Sequence, residues 1–484
     1  MSGVERTTLA PGLEISRVLT GLWQIADMER DGAPVEVESA AGAMEPYVAA
    51  GFTTFDMADH YGSSELVAGA YRARAGNGDR VQLLTKWVPR PGPMSLADVR
   101  EAVERALDRL GADAVDLMQF HAWAYEDPAW LDALFHLQAL KEEGLIRHLG
   151  LTNFDAPHLA MVVHSGVPVV SNQVCYSLLD RRPARHLEAV CREPGVGLLA
   201  YGTVAGGLLT EAWRGRPEPR ADDMATWSLM KYKRFIDAAG GWRAFQDVLG
   251  AVHRVAQKHG VSMANVAARY VLEQPAVAGV IIGARLGRSQ HLEDNARLFS
   301  FALDDDDRAT LAPALESYGV PPGDSGDEYR RPPFLTAAGD LSHHLDELPA
   351  PYPVVGGAGA RKRALSGTIW EDLAGFSRAT RIGDRILVSG TTATHGDRVI
   401  GGGDPASQAH FCIDKLHGAI RSLGGKLEDV VRTRVYIRRM DDWEAVSRAH
   451  GARFGGIQPA NTLIQAGIIG DEYLVEMEAE AVVR

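Results

Sequence analysis

The chain has 484 residues, of which 46% are hydrophobic and 23% are charged. This length exceeds what one hydrophobic core usually organises, and it predicts two domains, one of them of barrel size. The formal charge of −13 argues against sequence-independent binding of nucleic acid, which requires a basic surface that displaces counterions from phosphates. The expected partners are a small-molecule substrate and other copies of the chain.

The cysteines and the N-terminal residues bear on the compartment. Cys175, Cys191 and Cys412 are widely spaced and match no disulfide or metal-ligand pattern, so we expect no metal. The first residues lack a basic region followed by an apolar one, and no apolar run is long enough to span a bilayer. The sequence thus predicts a cytoplasmic protein with no membrane partner.

From residue 13 to about 300, short apolar runs alternate with helical patterns. The runs lie at 19–23, 52–56, 81–86, 115–121, 146–153, 168–173, 196–201 and 277–283. Helices are predicted at 37–50, 63–75, 96–110, 128–143, 156–164, 182–192 and 262–273. Continuous apolar strands between helices indicate parallel strands buried on both faces, closed as a (β/α)8 TIM barrel. The alternative, a doubly wound sheet, lacks a GxGxxG phosphate loop after its first strand.

Polar residues stand at the ends of these predicted strands. In a barrel the carboxyl ends of all strands meet at one rim, so side chains from distant parts of the chain would converge there. The residues in question are Asp56 with Tyr61, Lys86, His121, Asn153, Gln173, Tyr201, and Gly283 with Arg285. Their shared position predicts a catalytic site at the rim.

The residue types at the rim favour proton transfer to a carbonyl oxygen. A tyrosine has an ordinary pKa of about 10, and we expect a neighbouring Lys86 to lower the pKa of Tyr61. Asp56 would pair with Lys86, and a neutral His121 would donate a hydrogen bond to a substrate oxygen. Because the set contains no nucleophile, a cofactor would have to supply the electrons.

The order of these motifs resembles that of the aldo-keto reductases over residues 1 to about 320. The matching segments are Gly21 with Trp23, FDMADHYG at 55–62, Thr85 with Lys86, the Asp116–His121 segment, GLTN at 150–153, Asn172 with Gln173 and Tyr176, and IIGAR at 281–285 with Gln290 and Asn295. The resemblance implies a catalytic tetrad of Asp56, Tyr61, Lys86 and His121, in which Tyr61 is the proton donor.

The same resemblance implies a nicotinamide cofactor. Asn153 and Gln173 would hold the amide of the nicotinamide, and Tyr201 would stack on its ring. The other implied cofactor residues are Gly21, Trp23, Gly283, Arg285, Gln290 and Asn295. An arginine at the adenosine end can fork onto a 2′-phosphate, so NADPH is favoured over NADH, the alternative being a solvated arginine.

Two long segments are candidates for covering the mouth of the barrel. The segment 204–240 is too long for a plain connector, although an ordinary surface excursion is the alternative. The segment 318–345 carries His343 and His344, which are either ligands or solvated tail residues.

Residues 321–365 are rich in proline and glycine and predict a linker, and the pattern changes from 366 to 484. Strands are expected at 385–390, 430–437, 461–468 and 474–483, and helices at 407–423 and 441–454. Strict alternation of apolar and polar residues in the last strand indicates a sheet with one buried face. These elements predict a smaller α+β domain.

This second segment resembles the RidA/YjgF reactive-intermediate deaminases, which have a chorismate-mutase-like fold. The motifs are VSGTT at 388–392, LEDVVRTRVYI at 427–437 and LVEMEAEAVV at 474–483. The resemblance implies a homotrimer with pockets between subunits, or a hexamer if the barrels also associate. Glu476 matches the family's water-activating glutamate, whereas Asn461 replaces the substrate-binding arginine and cannot form a bidentate clamp. Glu476 is therefore either catalytic or structural.

Three functions follow from the sequence. The first is NADPH-dependent reduction of an aldehyde or ketone to an alcohol, with the second domain serving assembly or substrate handling. The second is a bifunctional enzyme that processes imines or enamines, by C=N reduction or by hydrolysis coupled to carbonyl reduction. The third is a nicotinamide-binding sensor or scaffold.

Overall fold

A hairpin and a closed barrel form the first part of the protein. The computed structural model describes residues 3–29, 32, 34–74, 76, 78, 80–220, 223–288, 291–356 and 361–483. Strand β1 (Arg6–Ala10) pairs antiparallel with β2 (Leu13–Ser16). Leu9, Leu13 and Ile15 of this hairpin pack in one apolar cluster with barrel leucines, so the hairpin closes one end of the barrel.

The predicted (β/α)8 TIM barrel is confirmed. Eight parallel strands close on themselves because the last strand pairs with both the first and the seventh. They are β3 (Val18–Gly21), β4 (Thr54–Asp56), β5 (Gln82–Trp87), β6 (Val115–Phe120), β7 (Ile146–Thr152), β8 (Val169–Cys175), β9 (Gly197–Tyr201) and β10 (Val277–Gly283). Each strand therefore ends at the same rim, which gathers the predicted site residues.

Helices surround the barrel. They are α1 (Trp23–Met28), α2 (Val37–Gly42), α3 (Glu45–Ala49), α4 (Ser64–Ala73), α5 (Leu96–Leu110), α6 (Ala129–Glu142), α7 (Ala156–His164), α8 (Leu187–Arg192), α9 (Trp227–Ala238), α10 (Gly241–His259), α11 (Met263–Leu272), α12 (Leu292–Arg297) and α13 (Asp305–Tyr318). The predicted bounds of α5 and α7 are confirmed. A capping box of Ser95 with Asp98 begins α5, and Gly111 ends it in the left-handed conformation.

Other helix predictions were wrong in part. The single helix expected at 37–50 is two short helices, and Pro46 in the first turn of α3 restarts the helix after a turn. The segment 204–240, for which no helix was predicted, contains α9. Helices α10 and α13 were missed, although the apolar residues of α10 recur at helical spacing.

The predicted α+β unit, here called the small domain, is also confirmed. Its sheet has the order β11-β12-β13-β14-β19-β17-β18, and β15 and β16 form a separate pair. The strands are β11 (Val354–Val355), β12 (Lys362–Ala364), β13 (Ala379–Ile382), β14 (Arg385–Thr392), β15 (Thr394–His395), β16 (Arg398–Val399), β17 (Val430–Ile437), β18 (Ala460–Gln465) and β19 (Val475–Val482). Strands β11 and β12 lie within the segment predicted as a linker and pair onto the edge of this sheet.

Three helices complete the small domain, and one of them packs on the barrel. They are α16 (Ile369–Ala374), α17 (Pro405–Ser422) and α18 (Trp443–Phe454). Helix α17 lies between the sheet and helix α7 of the barrel, and buried apolar residues of both domains form one continuous cluster. At the edge of this interface, Nε2 of His395 in the small domain lies 2.7 Å from Oδ1 of Asp132 in α6. Among the described residues, no helix is long and apolar enough to cross a membrane.

We predict opposite effects on stability for two Gly→Ala substitutions in the small domain. A Cβ at Gly418 in α17 would lie 2.3 Å from the Glu126 carbonyl oxygen of the barrel. Gly418→Ala should lower the free energy of unfolding by about 1–3 kcal/mol, because it overpacks the contact between the domains. Gly451→Ala in α18 meets nothing within 4 Å and should raise it by about 0.5–1 kcal/mol. Urea unfolding of the full chain measures both, and equal stabilisation by the two would contradict the interface.

Candidate active site

A buried ion pair lies at the centre of the rim. Lys86 Nζ lies 2.7 Å from Asp56 Oδ2, and the two side chains are 3% and 5% exposed. The pair forms because β4 and β5 are adjacent parallel strands that end side by side. Asp56 Oδ1 also accepts hydrogen bonds from Gln119 Nε2 at 3.1 Å and from Gln173 Nε2 at 2.7 Å. The carboxylate is thus held by three donors from three different strands.

Tyr61 lies next to this pair, in the turn that follows β4. Lys86 Nζ lies 4.8 Å from the centroid of the Tyr61 ring. Burial, followed by the charge of Asp56, raises the pKa of Tyr61 well above its usual value. The sequence-based expectation that Lys86 lowers the pKa of Tyr61 is therefore not met, because burial and Asp56 outweigh the ammonium. Tyr61 keeps its proton at neutral pH, as a proton donor must.

His121 is buried with only one ring nitrogen engaged. Its Nδ1 lies 3.2 Å from the Thr152 carbonyl oxygen, and its Nε2 has no hydrogen-bond partner among the described residues. Burial, with Arg330 second, lowers the pKa of His121 well below its usual value, so the ring is neutral. Because a carbonyl oxygen only accepts, the single proton lies on Nδ1 and Nε2 carries a lone pair. In this tautomer Nε2 is able to accept a hydrogen bond but not to donate one, which differs from the donor role expected from the sequence.

Two of the expected nicotinamide residues meet at the mouth of the barrel. Asn153 follows β7 and has a φ of 60°, a left-handed conformation that asparagine adopts more readily than most residues. The Tyr201 hydroxyl at the end of β9 lies 2.8 Å from Asn153 Oδ1. Gln173, in contrast, is directed to Asp56 and to Gln119 Oε1, which is 2.9 Å away. The structure therefore brings Asn153 and Tyr201 together and ties Gln173 to the ion pair.

Two of the residues expected at the adenosine end, Gly283 and Arg285, lie at the end of β10 and just after it. Gly283 is exposed, and Arg285 Nη2 lies 3.0 Å from Asp27 Oδ2. Asn295 is half-buried on α12, whereas Gln290 lies outside the described residues.

Gly21 and Trp23 lie beside this end of β10. Gly21 ends β3 and pairs with Gly283, and Trp23 begins α1. A Cβ at Gly21 would lie 2.8 Å from an Ile281 methyl group, so the glycine allows β3 and β10 to pack closely. Trp23 packs on Trp227 of α9 with ring centroids 6.1 Å apart.

A segment that we call the strap, residues 319–348, crosses the mouth of the barrel. It contains α14 (Asp327–Arg330) and α15 (Leu341–His344). The Tyr329 ring lies 5.7 Å from the His121 ring, and the Tyr329 and Tyr201 hydroxyl oxygens are 3.2 Å apart. His344 is exposed to solvent, although its ring packs on that of Trp123 with centroids 4.7 Å apart. The prediction that 318–345 covers the mouth agrees with these contacts.

Close backbone packing and a buried arginine hold the strap in place. Gly326 has a φ of 86°, and a Cβ there would lie 2.0 Å from the Asn153 carbonyl oxygen, so only glycine fits. Arg182 Nη2 lies 2.7 Å from Asp180 Oδ2 and 2.8 Å from Glu328 Oε2. This guanidinium joins the strap to the segment after β8.

Sequence reasoning missed four residues of this site: Gln119, Lys231, Tyr329 and Arg330. Gln119 could have been found, because it stands two positions before His121 and so faces the same side of β6. Lys231 of α9 donates to the Tyr329 hydroxyl at 2.7 Å and lies 4.7 Å from the centroid of the Tyr201 ring. No local pattern connects Lys231 with the strap, since the contact depends on how distant segments fold over the barrel.

The two candidate residues of the small domain do not share a face of the sheet. Glu476 is opposite Tyr436 of β17, and Asn461 is opposite Thr433, an odd number of residues away. Asn461 Nδ2 donates to Thr433 Oγ1 at 2.9 Å, on the side that α18 covers. Glu476 is half-buried, and burial raises its pKa although Arg378 opposes the shift. Within one chain these residues therefore form no common site.

Comparisons with known proteins agree with this fold. Residues 17–316 match the model of the aldo/keto reductase family, and residues 370–483 match the model described as endoribonuclease L-PSP. The first match covers more than half of the chain, so this protein belongs to the aldo/keto reductase family. Both resemblances inferred from the sequence are thereby confirmed.

Individual relatives are similar to parts of the chain. An uncharacterised protein of Streptomyces coelicolor is 42% identical over 123 residues, which are 25% of this chain and 92% of that protein. An aldo-keto reductase of Strobilurus tenacellus is 28% identical over 280 residues, 56% of this chain and 80% of that protein. The structure of a glycerol dehydrogenase from Gluconobacter oxydans is 24% identical, with a TM-score of 0.51, and covers 64% of this chain and 95% of its own. That likeness concerns the fold alone.

We predict that Asp56→Asn destabilises the protein strongly. The substitution leaves the Lys86 ammonium buried without its counter-charge, so the free energy of unfolding should fall by about 3–5 kcal/mol. As a control, Glu143→Gln removes one partner of the exposed Arg100–Glu143 pair and should leave the free energy of unfolding almost unchanged. Urea unfolding measures both losses. The double variant Asp56→Asn, Lys86→Met should recover much of the loss, and a small loss for Asp56→Asn alone would contradict a buried ion pair.

Proposed function

We propose that the barrel is an NADPH-dependent reductase that converts an aldehyde or ketone to an alcohol at Tyr61. The observation that carries this proposal is the buried Asp56–Lys86 pair next to a protonated Tyr61. The family comparisons support an oxidoreductase of this class. We also propose a barrel at 1–320, a connecting segment at 321–365 and a small domain at 366–484, with the end of the connecting segment joining the small-domain sheet as β11 and β12.

Each member of the tetrad has a role that its surroundings favour. Tyr61 donates its proton to the substrate oxygen, and the nearby Lys86 ammonium stabilises the phenolate that remains. Asp56 keeps Lys86 charged against burial, which by itself lowers the pKa of Lys86. His121 Nε2 orients a hydroxyl group of substrate or product by accepting its hydrogen bond. A bound nicotinamide would supply the hydride.

The residues around the mouth fit a dinucleotide. Asn153 and Tyr201 would meet the nicotinamide, with Gln173 reaching it only if it leaves Asp56. Arg285 and Asn295, with Gln290 and Gly283, would hold the adenosine end, and Gly21 and Trp23 the edge beside it. We favour NADPH over NADH because the Arg285 guanidinium, here bonded to Asp27, would fork onto a 2′-phosphate once it leaves that carboxylate.

The small domain suits assembly into a homotrimer, or a hexamer if the barrels also associate. Its surface exposes several large apolar side chains, which contact with other subunits would remove from water. They are Ile369, Trp370, Leu373, Leu387, Val431, Trp443, Ile464 and Ile469. Three buried free cysteines suit a cytoplasmic protein.

A second candidate function is the processing of an imine or enamine by the small domain. A single observation favours it: Glu476 is half-buried with a raised pKa on the sheet face that α17 leaves uncovered. A raised pKa makes the ionised carboxylate a stronger base, so Glu476 could accept the proton that an attacking water gives up. The third reading, a nicotinamide sensor, requires binding without turnover.

Tyr61→Phe should abolish the reductase but keep the cofactor. We expect NADPH oxidation with a panel of aldehydes and ketones to fall by about 10²–10⁴-fold, because the proton donor is lost. NADPH binding, monitored by the quenching of tryptophan fluorescence, should persist. Tyr270→Phe, a half-buried tyrosine away from the rim, is the control and should leave turnover unchanged. Full activity in Tyr61→Phe would contradict the proposal, and NADPH binding without turnover in the unmodified protein would favour the sensor.

A separate assay decides whether the small domain is catalytic. In the full chain carrying Tyr61→Phe, which blocks reduction, ammonia release from a series of imino acids reports hydrolysis alone. If the second candidate is right, release should continue in Tyr61→Phe and disappear when Glu476→Gln is added. If ammonia release does not exceed the uncatalysed rate, the second candidate is rejected and assembly remains as the role of the small domain.

A further inference from the structure

A buried charge cluster joins the small domain to the loop that carries Asn153. His158 of α7 is 2% exposed, and its Nδ1 lies 2.5 Å from Asp155 Oδ1. Its Nε2 lies 2.9 Å from Oδ2 of Asp414, a residue of α17 that is 1% exposed. Burial opposes charge on the ring, but the two carboxylates raise the pKa of His158 above its usual value. Both ring nitrogens therefore donate, and His158 is an imidazolium held by one carboxylate from each domain.

On the side of the small domain, a second cation, Arg453, also pairs with Asp414. Arg453 Nη2 of α18 lies 2.7 Å from Asp414 Oδ1, so Asp414 binds one cation with each oxygen. Asp155 in turn caps α7, since its side chain accepts from the His158 backbone N–H at 2.9 Å. Asp155 is two residues after Asn153, and the position of that loop therefore depends on a carboxylate of another domain.

An aromatic ring transmits this contact to the strap. The Tyr125 ring stacks on the His158 ring, with centroids 3.4 Å apart and planes inclined by 9°. The guanidinium of Arg330 lies 4.3 Å from the centroid of the same Tyr125 ring. Because His158 covers one face of Tyr125, the guanidinium lies over the other. A cation over an aromatic face is attracted to it, so Tyr125 fixes the position of Arg330.

Arg330 connects this stack to the site itself. Its Nε donates to the Ala122 carbonyl oxygen at 2.8 Å, and its Nη1 donates to the Asn153 carbonyl oxygen at 2.6 Å. Ala122 directly follows His121, so one guanidinium ties together the loops after β6 and β7. The preceding residue, Tyr329, is the one that packs on His121 and contacts Tyr201.

We propose that Asp414 of the small domain is a positioning residue of the barrel site, acting through His158, Tyr125 and Arg330. The inference rests on the proposed function for its consequence in catalysis, but the coupling itself is a structural statement. On this account the small domain holds the strap closed and sets Asn153 for the cofactor. The second domain is then part of the reductase site and not only a means of assembly.

The test compares two substitutions that each remove one carboxylate at the domain interface. Asp414→Asn removes the buried charge that binds His158. Asp132→Asn is the matched control, because Asp132 also bonds a histidine of the other domain, His395, but at the edge of the interface. Ile420→Val, a buried change in α17, controls for general loss of stability.

Hydrogen–deuterium exchange of the full chain is the first readout, since it requires neither cofactor nor turnover. Asp414→Asn should increase exchange in peptides covering 323–335 and 150–156, and neither control should. Unchanged exchange of these peptides in Asp414→Asn would overturn the proposal, as would the same increase in Asp132→Asn.

The second readout is the dissociation constant for NADPH, measured by fluorescence. We expect Asp414→Asn to weaken binding by about 2- to 30-fold, the range typical of coupling between distant sites. With an active substrate, KM should rise more than kcat falls, whereas general destabilisation would reduce the active fraction and lower kcat alone. Altered exchange without any carbonyl turnover in the unmodified protein would uphold the coupling and defeat the proposed function. Turnover with unchanged exchange, NADPH affinity and KM would do the opposite.

Discussion

The structure depends first on the buried ion pair of Asp56 and Lys86. Two charges removed from water are stable only if their geometry is good and their remaining hydrogen-bonding capacity is satisfied. Gln119 and Gln173 meet that condition for Asp56 from two other strands, so the ends of β4, β5, β6 and β8 are held relative to one another. Tyr61 lies against this pair, and burial there keeps its proton in place. The buried ion pair is thus accompanied by a protonated tyrosine at the rim.

The barrel and most of its site could be predicted from the sequence, because the signals are local. Continuous apolar strands gave the fold, and the polar residue at each strand end gave the rim. The long-range contacts could not be predicted: Lys231, Tyr329 and Arg330 meet the site only because α9 and the strap fold over the mouth. Nor could the sequence indicate the proton position of His121, which follows from the Thr152 carbonyl oxygen. Similarly, the pKa of Tyr61 depends on burial that no motif records.

The small domain contacts the barrel close to the loop that carries Asn153. Its helix α17 packs on α7, and the apolar core is continuous across the interface. Through His158 the interface reaches the loop of Asn153, which is also where the strap is bound. In the small domain itself, Asn461 and Glu476 lie on opposite faces of the sheet, so one chain does not bring these two residues into a common site. Contact with the barrel is therefore the better supported role of this domain.

The central claim is that a hydride and the Tyr61 proton reach the same carbonyl group. It is tested most directly with NADPH deuterated at C4 of the nicotinamide on the transferred face, incubated with the purified protein and a carbonyl substrate. If Tyr61 is the proton donor, the product is an alcohol with one deuterium on the carbinol carbon, detected by mass spectrometry. Tyr61→Phe should give no such product. Retention of all deuterium on the nucleotide, with the carbonyl panel unchanged although NADPH is bound, would contradict it.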